Sequence, residues 1–222
     1  MNLSNIFGSY RVVGLAGDKS TGKTNNLMYL IKDFRKDNNQ THIYFYGFDD
    51  ICIKWLKQFK NVYEISSLEQ LTNKKDSLII MDEFQKLKLN DRRYTDLLNS
   101  FIDFIYHNNN WVIFSTPNLR EFNSNIGGKI ERWAIKSLSE SNLINGSQLK
   151  TIISSYAGRY KVINDIRINK DKILILNDEY EQVIECPYIP EIDRKKENVN
   201  IFNLSEKLSV KLSKINHDIK NH

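Results

Sequence analysis

The sequence predicts an α/β fold in which a mostly parallel sheet is flanked by helices and followed by a C-terminal hairpin and helix. Three observations carry that expectation. Short apolar runs rich in β-branched residues recur through the first half of the chain, and segments with helical apolar spacing lie between them. The strongest runs are continuous rather than alternating, as strands covered by helices on both faces must be. Composition agrees: 222 residues, 41% hydrophobic, with only 9 Gly and 3 Pro, exclude a disordered or collagen-like chain.

Taken in order, Tyr10–Ala16 (YRVVGLA) reads as a strand that ends at Gly17. Leu27, Leu30, Ile31 and Phe34 then fall on one face of a helix running Lys23–Phe34. Thr41–Tyr46 is a second strand, Ile51–Phe59 a short helix, and Asn61–Ile65 a third, shorter strand. Ser77–Met81 (SLIIM) is a fully buried strand that stops at two carboxylates, Asp82 and Glu83. A helix of four or more turns follows over Asp91–His107, with Asp91 as its N-cap, and Trp111–Ser115 is the next buried strand. This alternation places ligands at the carboxyl ends of the strands. The core so defined covers about residues 10–136.

Beyond it the spacing predicts a helix over Glu140–Tyr156 and a hairpin region, 159–176, that joins Tyr160–Ile168 to Lys172–Leu176 through Asn169–Asp171. Pro187–Asn200 reads as a linker, and Phe202, Leu204, Leu208, Leu212 and Ile215 mark an amphipathic C-terminal helix. One domain over 1–186 and an appendage over 187–222 are therefore expected.

The net charge of +5 is spread along the chain, so it permits an acidic partner such as nucleic acid without pointing to one. Cys52 and Cys186 lack any CxxC or nearby His and read as free thiols of a reducing compartment, with no metal site of their own. No run approaches the roughly 18 apolar residues that a membrane span needs, and Met1–Gly8 is no secretion signal. A cytoplasmic location is expected.

Chemistry enters with Gly17-Asp18-Lys19-Ser20-Thr21-Gly22-Lys23-Thr24, which matches the phosphate-binding pattern GxxxxGK[ST] at every fixed position and lies between a strand and a helix. Glycines let the backbone curl so that successive N–H groups and the helix N-terminus face a polyphosphate. Lys23 then neutralises the β and γ phosphates, Thr24 ligates Mg²⁺, and Asn25 continues the nucleotide-binding stretch. Lys19 reads as a solvated charge within the loop. Across from it, Asp82 can hold the Mg²⁺ shell while Glu83 activates water as general base. Ser115-Thr116-Pro117-Asn118 ends the following strand, with Thr116 and Asn118 as candidate sensors of the γ-phosphate.

Two strands, Thr41–Tyr46 and Asn61–Ile65, separate the motifs in sequence and leave room for a strand between the motif strands of the sheet. With the adjacent glutamate, this resembles the additional-strand ATPases (RecA, AAA+ and FtsK/HerA). GLAGDKSTGKT at Gly14–Thr24, the THIYFYGF strand, LIIMDEFQ at Leu78–Gln85 and WVIFSTPNLREF at Trp111–Phe122 together resemble the FtsK/HerA superfamily. The likeness is to its small viral members, the genome-packaging ATPases, and to the Zot-like proteins of filamentous phages. Where that family usually carries Gln after the threonine, this chain reads Pro117-Asn118.

The resemblance implies a RecA-like P-loop core, ATP and Mg²⁺ as cofactors, and a homo-oligomeric ring that moves double-stranded DNA without reading its sequence. It also implies a capsid or portal partner and an arginine finger supplied by a neighbouring subunit. Arg92, Arg93, Arg120, Arg132 and Arg159 are available, and Arg132, in GGKIERW, is the candidate. Two alternatives stay open: an AAA+ helicase-loader-like ATPase with Asn118 as sensor, and a Zot-like assembly factor in which nucleotide acts only as a switch.

Overall fold

The structure is a computed structural model of the chain and describes residues 4–84, 92–117, 127–136, 171–176 and 181–192. Its centre is one eight-stranded sheet. In chain order the strands are β1 (Val12–Ala16), β2 (Ile43–Tyr46), β3 (Val62–Glu64), β4 (Leu78–Met81), β5 (Trp111–Thr116), β6 (Arg132–Ile135), β7 (Lys172–Leu176) and β8 (Glu181–Glu185). In space they run β3-β2-β4-β5-β1-β6-β7-β8. The first six are parallel, and β7 is antiparallel to both its neighbours, β6 and β8. Among the described residues the α-helices are α1 (Ser4–Phe7), α2 (Lys23–Asp37), α3 (Asp50–Leu56) and α4 (Arg92–His107).

Burial follows position in the sheet. Every residue of β1, β4 and β6 is buried, whereas β3, at the edge, exposes Tyr63 and Glu64. The apolar stripe of α4 delivers Phe101, Ile102 and Ile105 to the core, where Phe114 of β5 sits between Phe84 and Phe101 at ring distances of 5.5 and 6.4 Å. Asn110 sets the start of β4 beside that of β5. Its Oδ1 accepts from the Ser77 N–H at 2.9 Å and its Nδ2 donates to the Lys74 carbonyl at 2.9 Å. At the C-terminus of α2, the Arg35 guanidinium donates to the carbonyls of Asn38 and Asn61 at 2.8 and 2.7 Å, meeting the negative end of the helix dipole.

Two expectations change. The strand separating β1 from β4 is β5, which follows the carboxylate pair in sequence, while β2 and β3 lie on the outer side of β4. The C-terminal hairpin is Lys172–Leu176 with Glu181–Glu185. β7 pairs with β6 on one side (Ile135 opposite Leu174) and with β8 on the other (Lys172 opposite Glu185), where the sequence reading joins it to Tyr160–Ile168. That segment lies outside the described residues, as do the Glu140–Tyr156 helix, the Asp91 cap, the linker beyond Ile192 and the helix over Phe202–Ile215.

By contact density the chain divides into Met1–Tyr188, which holds the sheet, and Ile189–His222, whose described part is a single 3-10 turn at Pro190–Ile192. Among the described residues no helix is long and apolar enough to cross a membrane. Both cysteines are free and buried.

At the carboxyl rim of the sheet, Gly47 leaves β2 with φ of 84°, and a Cβ built there would stand 1.8 Å from the Asp82 carbonyl oxygen. Backbone meets backbone, so nothing can yield. Gly47→Ala is expected to cost at least about 2 kcal/mol, the left-handed penalty alone being about 1–2. Thermal melting should show it as a fall in Tm of about 4 °C or more.

Candidate active site

The parallel strands end on one rim, and β1 leads there into the loop Gly17–Gly22, after which α2 begins at Lys23. Ser20 and Gly22 take φ of 62° and 93°, and these left-handed residues curl the chain back on itself. Gly17 has no room for a side chain, since a Cβ there would lie 2.6 Å from the Cβ of Lys136. The Thr21 hydroxyl donates to the Asp18 carbonyl at 2.8 Å and braces the curl. Asp18 is half-buried, while Lys19 and Ser20 are exposed. Gly22 caps α2 with no side-chain hydrogen bond, which keeps the helix N-terminus for a ligand rather than for its own cap.

Lys23 closes the loop from within: its Nζ donates to the carbonyls of Gly17 and Asp18 at 2.7 and 2.8 Å. Burial pushes its pKa down, against the attraction of Asp82, Asp18 and Glu83. Asn25, one residue past Thr24, is buried and donates from Nδ2 to the Pro187 carbonyl at 3.3 Å.

Asp82 stands at the end of β4, and its backbone N–H is bonded to the Tyr46 carbonyl at 2.8 Å. Its carboxylate gathers three donors: Thr24 Oγ1 on Oδ2 at 2.7 Å, Ser115 Oγ on Oδ1 at 2.8 Å, and the Glu83 N–H on Oδ1 at 3.1 Å. Burial raises its pKa, while the Thr24 and Ser115 bonds and the Lys23 charge oppose that rise. Glu83 itself holds φ of 48°, a conformation that costs a non-glycine residue about 1–3 kcal/mol. It is fixed from both sides, by Asp82 before it and by the buried Phe84 after it.

The structure thus brings Lys23, Thr24, Asp82 and Glu83 to one place. Thr24 Oγ1 and Asp82 Oδ2 converge as hard oxygen donors, a set that suits Mg²⁺, which takes one or two protein oxygens and completes its shell with phosphate and water. Thr116 ends β5 opposite Ala16 and is fully buried. Its neighbour Ser115, which motif spacing passes over, is the residue that touches Asp82. It is the first hydroxyl after the apolar run Trp111–Phe114, and that is the signal that could have found it. Asn118 lies outside the described residues.

Arg132 is not placed as an arginine finger. It begins β6 opposite Val13, at the amino end of the parallel strands and away from the loop. There it is buried, donates from Nη1 to the Ile6 carbonyl at 3.1 Å, and lies 5.8 Å from the Tyr10 ring centroid. A guanidinium enclosed by its own chain cannot enter a neighbour's site.

A second residue that the sequence did not single out is Lys136. It follows β6 beside Gly17, donates from its backbone N–H to the Ala16 carbonyl at 2.8 Å, and sends Nζ to the Lys172 carbonyl. Burial pushes its pKa down to about 8.

The fold is RecA-like, a mostly parallel sheet shared with the following solved structures. The DNA-packaging ATPase of Sulfolobus turreted icosahedral virus superposes with a TM-score of 0.56 at 14% identity, covering 81% of this chain and 98% of that one. The genome-packaging NTPase of Sulfolobus turreted icosahedral virus 2 in complex with ATP-gammaS gives 0.54 at 13%, with the same coverage of both chains. The pCW3 conjugation coupling protein TcpA gives 0.55 at 11%, covering 84% of this chain and 62% of that one. No protein-family model and no curated protein matches the sequence.

Removing the Ser115 hydroxyl leaves one oxygen of a buried carboxylate short of a donor, at a cost of about 1–3 kcal/mol. Ser115→Ala should therefore lower stability by that amount in denaturant titrations and weaken Mg²⁺-dependent nucleotide binding. A raised pKa at Asp82 means that the folded protein takes up this proton more readily than the unfolded chain. Its ionised form counts against folding above the folded pKa, and that cost disappears as pH falls through it. Mg²⁺ needs the ionised form. Nucleotide binding in Mg²⁺ should thus weaken on acidification, which calorimetric titrations across a pH series would measure. Asp82→Asn should raise the Tm of the ligand-free protein and remove the Mg²⁺ dependence.

Proposed function

We propose that the chain is an ATP-hydrolysing DNA translocase, a viral genome-packaging ATPase that works as a homo-oligomeric ring on double-stranded DNA. The observation that supports it best is the 2.7 Å hydrogen bond from Thr24 to Asp82, which joins the phosphate loop to the carboxylate pair across the intervening strand β5. The likeness in fold to packaging ATPases favours DNA as the track.

In this reading the curled loop and the first turn of α2 bind the triphosphate through backbone N–H groups. Lys23 exchanges its two loop carbonyls for phosphate oxygens. Thr24 and Asp82 would hold Mg²⁺, which when bound would supply charge stabilisation to the transferring phosphoryl group. Glu83, on its constrained backbone, takes the proton of the attacking water. Ser115 keeps Asp82 oriented, and Thr116, with Asn118 beyond it, reports the state of the terminal phosphate. The arginine supplied in trans falls to Arg92, Arg93, Arg120 or Arg159. DNA is gripped by its phosphates without base readout, and a capsid or portal partner receives it within the host cytoplasm.

Three measurements test this. Hydrolysis should be stimulated by duplex DNA at low salt, and the stimulation should vanish as salt rises. Glu83→Gln should bind ATP yet hydrolyse it about 100-fold or more slowly, whereas Lys23→Ala should fail to bind. Sizing with a non-hydrolysable nucleotide should show an assembly of several copies. Hydrolysis indifferent to DNA at low salt would remove the translocase reading, and a fully active Glu83→Gln variant would remove the catalytic assignment.

A further inference from the structure

The sheet itself sets the direction in which a nucleotide must lie. Asp82 and Glu83 end β4, on one side of β1, so the phosphate that is cleaved points that way. The opposite end of the triphosphate, with its ribose and base, then leaves the first turn of α2 on the other side of β1, above β6, β7 and β8.

What waits on that side is the exit of β8. This strand is antiparallel to β7, which is antiparallel to β6, so β8 runs with β1 and ends on the same rim, with Glu185 opposite Lys172. The three residues that follow are Cys186, Pro187 and Tyr188. Cys186 is buried, and its backbone N–H donates to the Asp171 carbonyl. Pro187 offers its carbonyl to Nδ2 of Asn25, the residue directly after the phosphate loop, at 3.3 Å. Lys136, packed beside Gly17, holds the start of β7 through the Lys172 carbonyl. The chain is therefore tied to the loop and the first turn of α2 immediately before Tyr188.

Tyr188 is 53% exposed. Other exposed tyrosines lie elsewhere: Tyr63 on the edge strand β3, stacked on Tyr44 at 5.6 Å, and Tyr106 in the last turn of α4. Leaving an aromatic ring this accessible at the rim, one peptide from the Asn25 tether, suits a flat apolar ligand.

We propose that Tyr188 is the platform on which the nucleobase stacks, and that Asn25 holds the Pro187–Tyr188 segment in place for it. The proposal rests on the reading of Gly17–Thr24 as a triphosphate site and adds a residue that recognises the nucleoside rather than the phosphates. Stacking of this kind is worth about tenfold or more in affinity per base.

The test compares two ligands on the full-length protein by calorimetry: ATP and inorganic tripolyphosphate, each with Mg²⁺. Tyr188→Ala should bind ATP about tenfold more weakly and tripolyphosphate as the wild type does. Tyr188→Phe and Tyr188→Trp, which keep a flat ring, should restore ATP binding. The proposal is overturned if Tyr188→Ala leaves ATP affinity unchanged, if it weakens both ligands equally, or if the Phe and Trp variants behave like Ala. Wild-type protein that binds neither ligand would overturn the phosphate-site reading itself, a result distinct from any of these.

Discussion

The carboxylate of Asp82 organises the rim of this protein. A charged group enclosed by β4, β5 and the phosphate loop is tolerable only when its oxygens are met by donors, and three different segments provide them. Each donor fixes its own segment in return. Thr24 sets the first turn of α2, Ser115 sets the end of β5, and the Glu83 N–H sets the turn that presents the Glu83 carboxylate. The close approach of Gly47 to the Asp82 backbone brings in β2 as a fourth. The segments of Thr24, Gly47 and Ser115 thus meet at one residue, and the geometry that the proposed hydrolysis needs is largely the geometry that keeps this charge satisfied.

The loop is similarly self-contained. With Lys23 bonded to two carbonyls of its own turn, the ammonium is partnered before any phosphate arrives. On the proposed reading, phosphate binding would be an exchange of partners and not the capture of a bare charge. Burial, which favours the neutral amine, and the nearby acids, which favour the cation, oppose each other at the same atom.

Much of this was legible in the sequence, and the failures have physical causes. The loop and the paired acids are local patterns: spacing alone brings Gly17, Lys23 and Thr24 together, and an apolar run that stops at two carboxylates reads as a buried strand that ends in charge. Pairing partners are not local. The apolar run Ile173–Leu176 marks a strand but does not say which neighbour it takes, and it takes those on both sides, β6 and β8. The same limit hid the place of β5, because the order of strands in a parallel sheet is set by crossovers and not by their order in the chain. Arg132 was misread because its enclosure depends on Ile6 and Tyr10, more than a hundred residues away. Ser115 escaped because hydroxyls at strand ends usually mark turns, and only the fold shows which oxygen it faces.

The left-handed backbone at Glu83 carries one more implication. Glycine would sit there without strain, and so the conformation by itself argues for replacing the very side chain that the proposed hydrolysis requires. Robustness and turnover are set against each other at a single peptide unit. Substitutions that make this chain hardier by relaxing that turn would be expected to arrive as silent, well-folded and catalytically dead proteins.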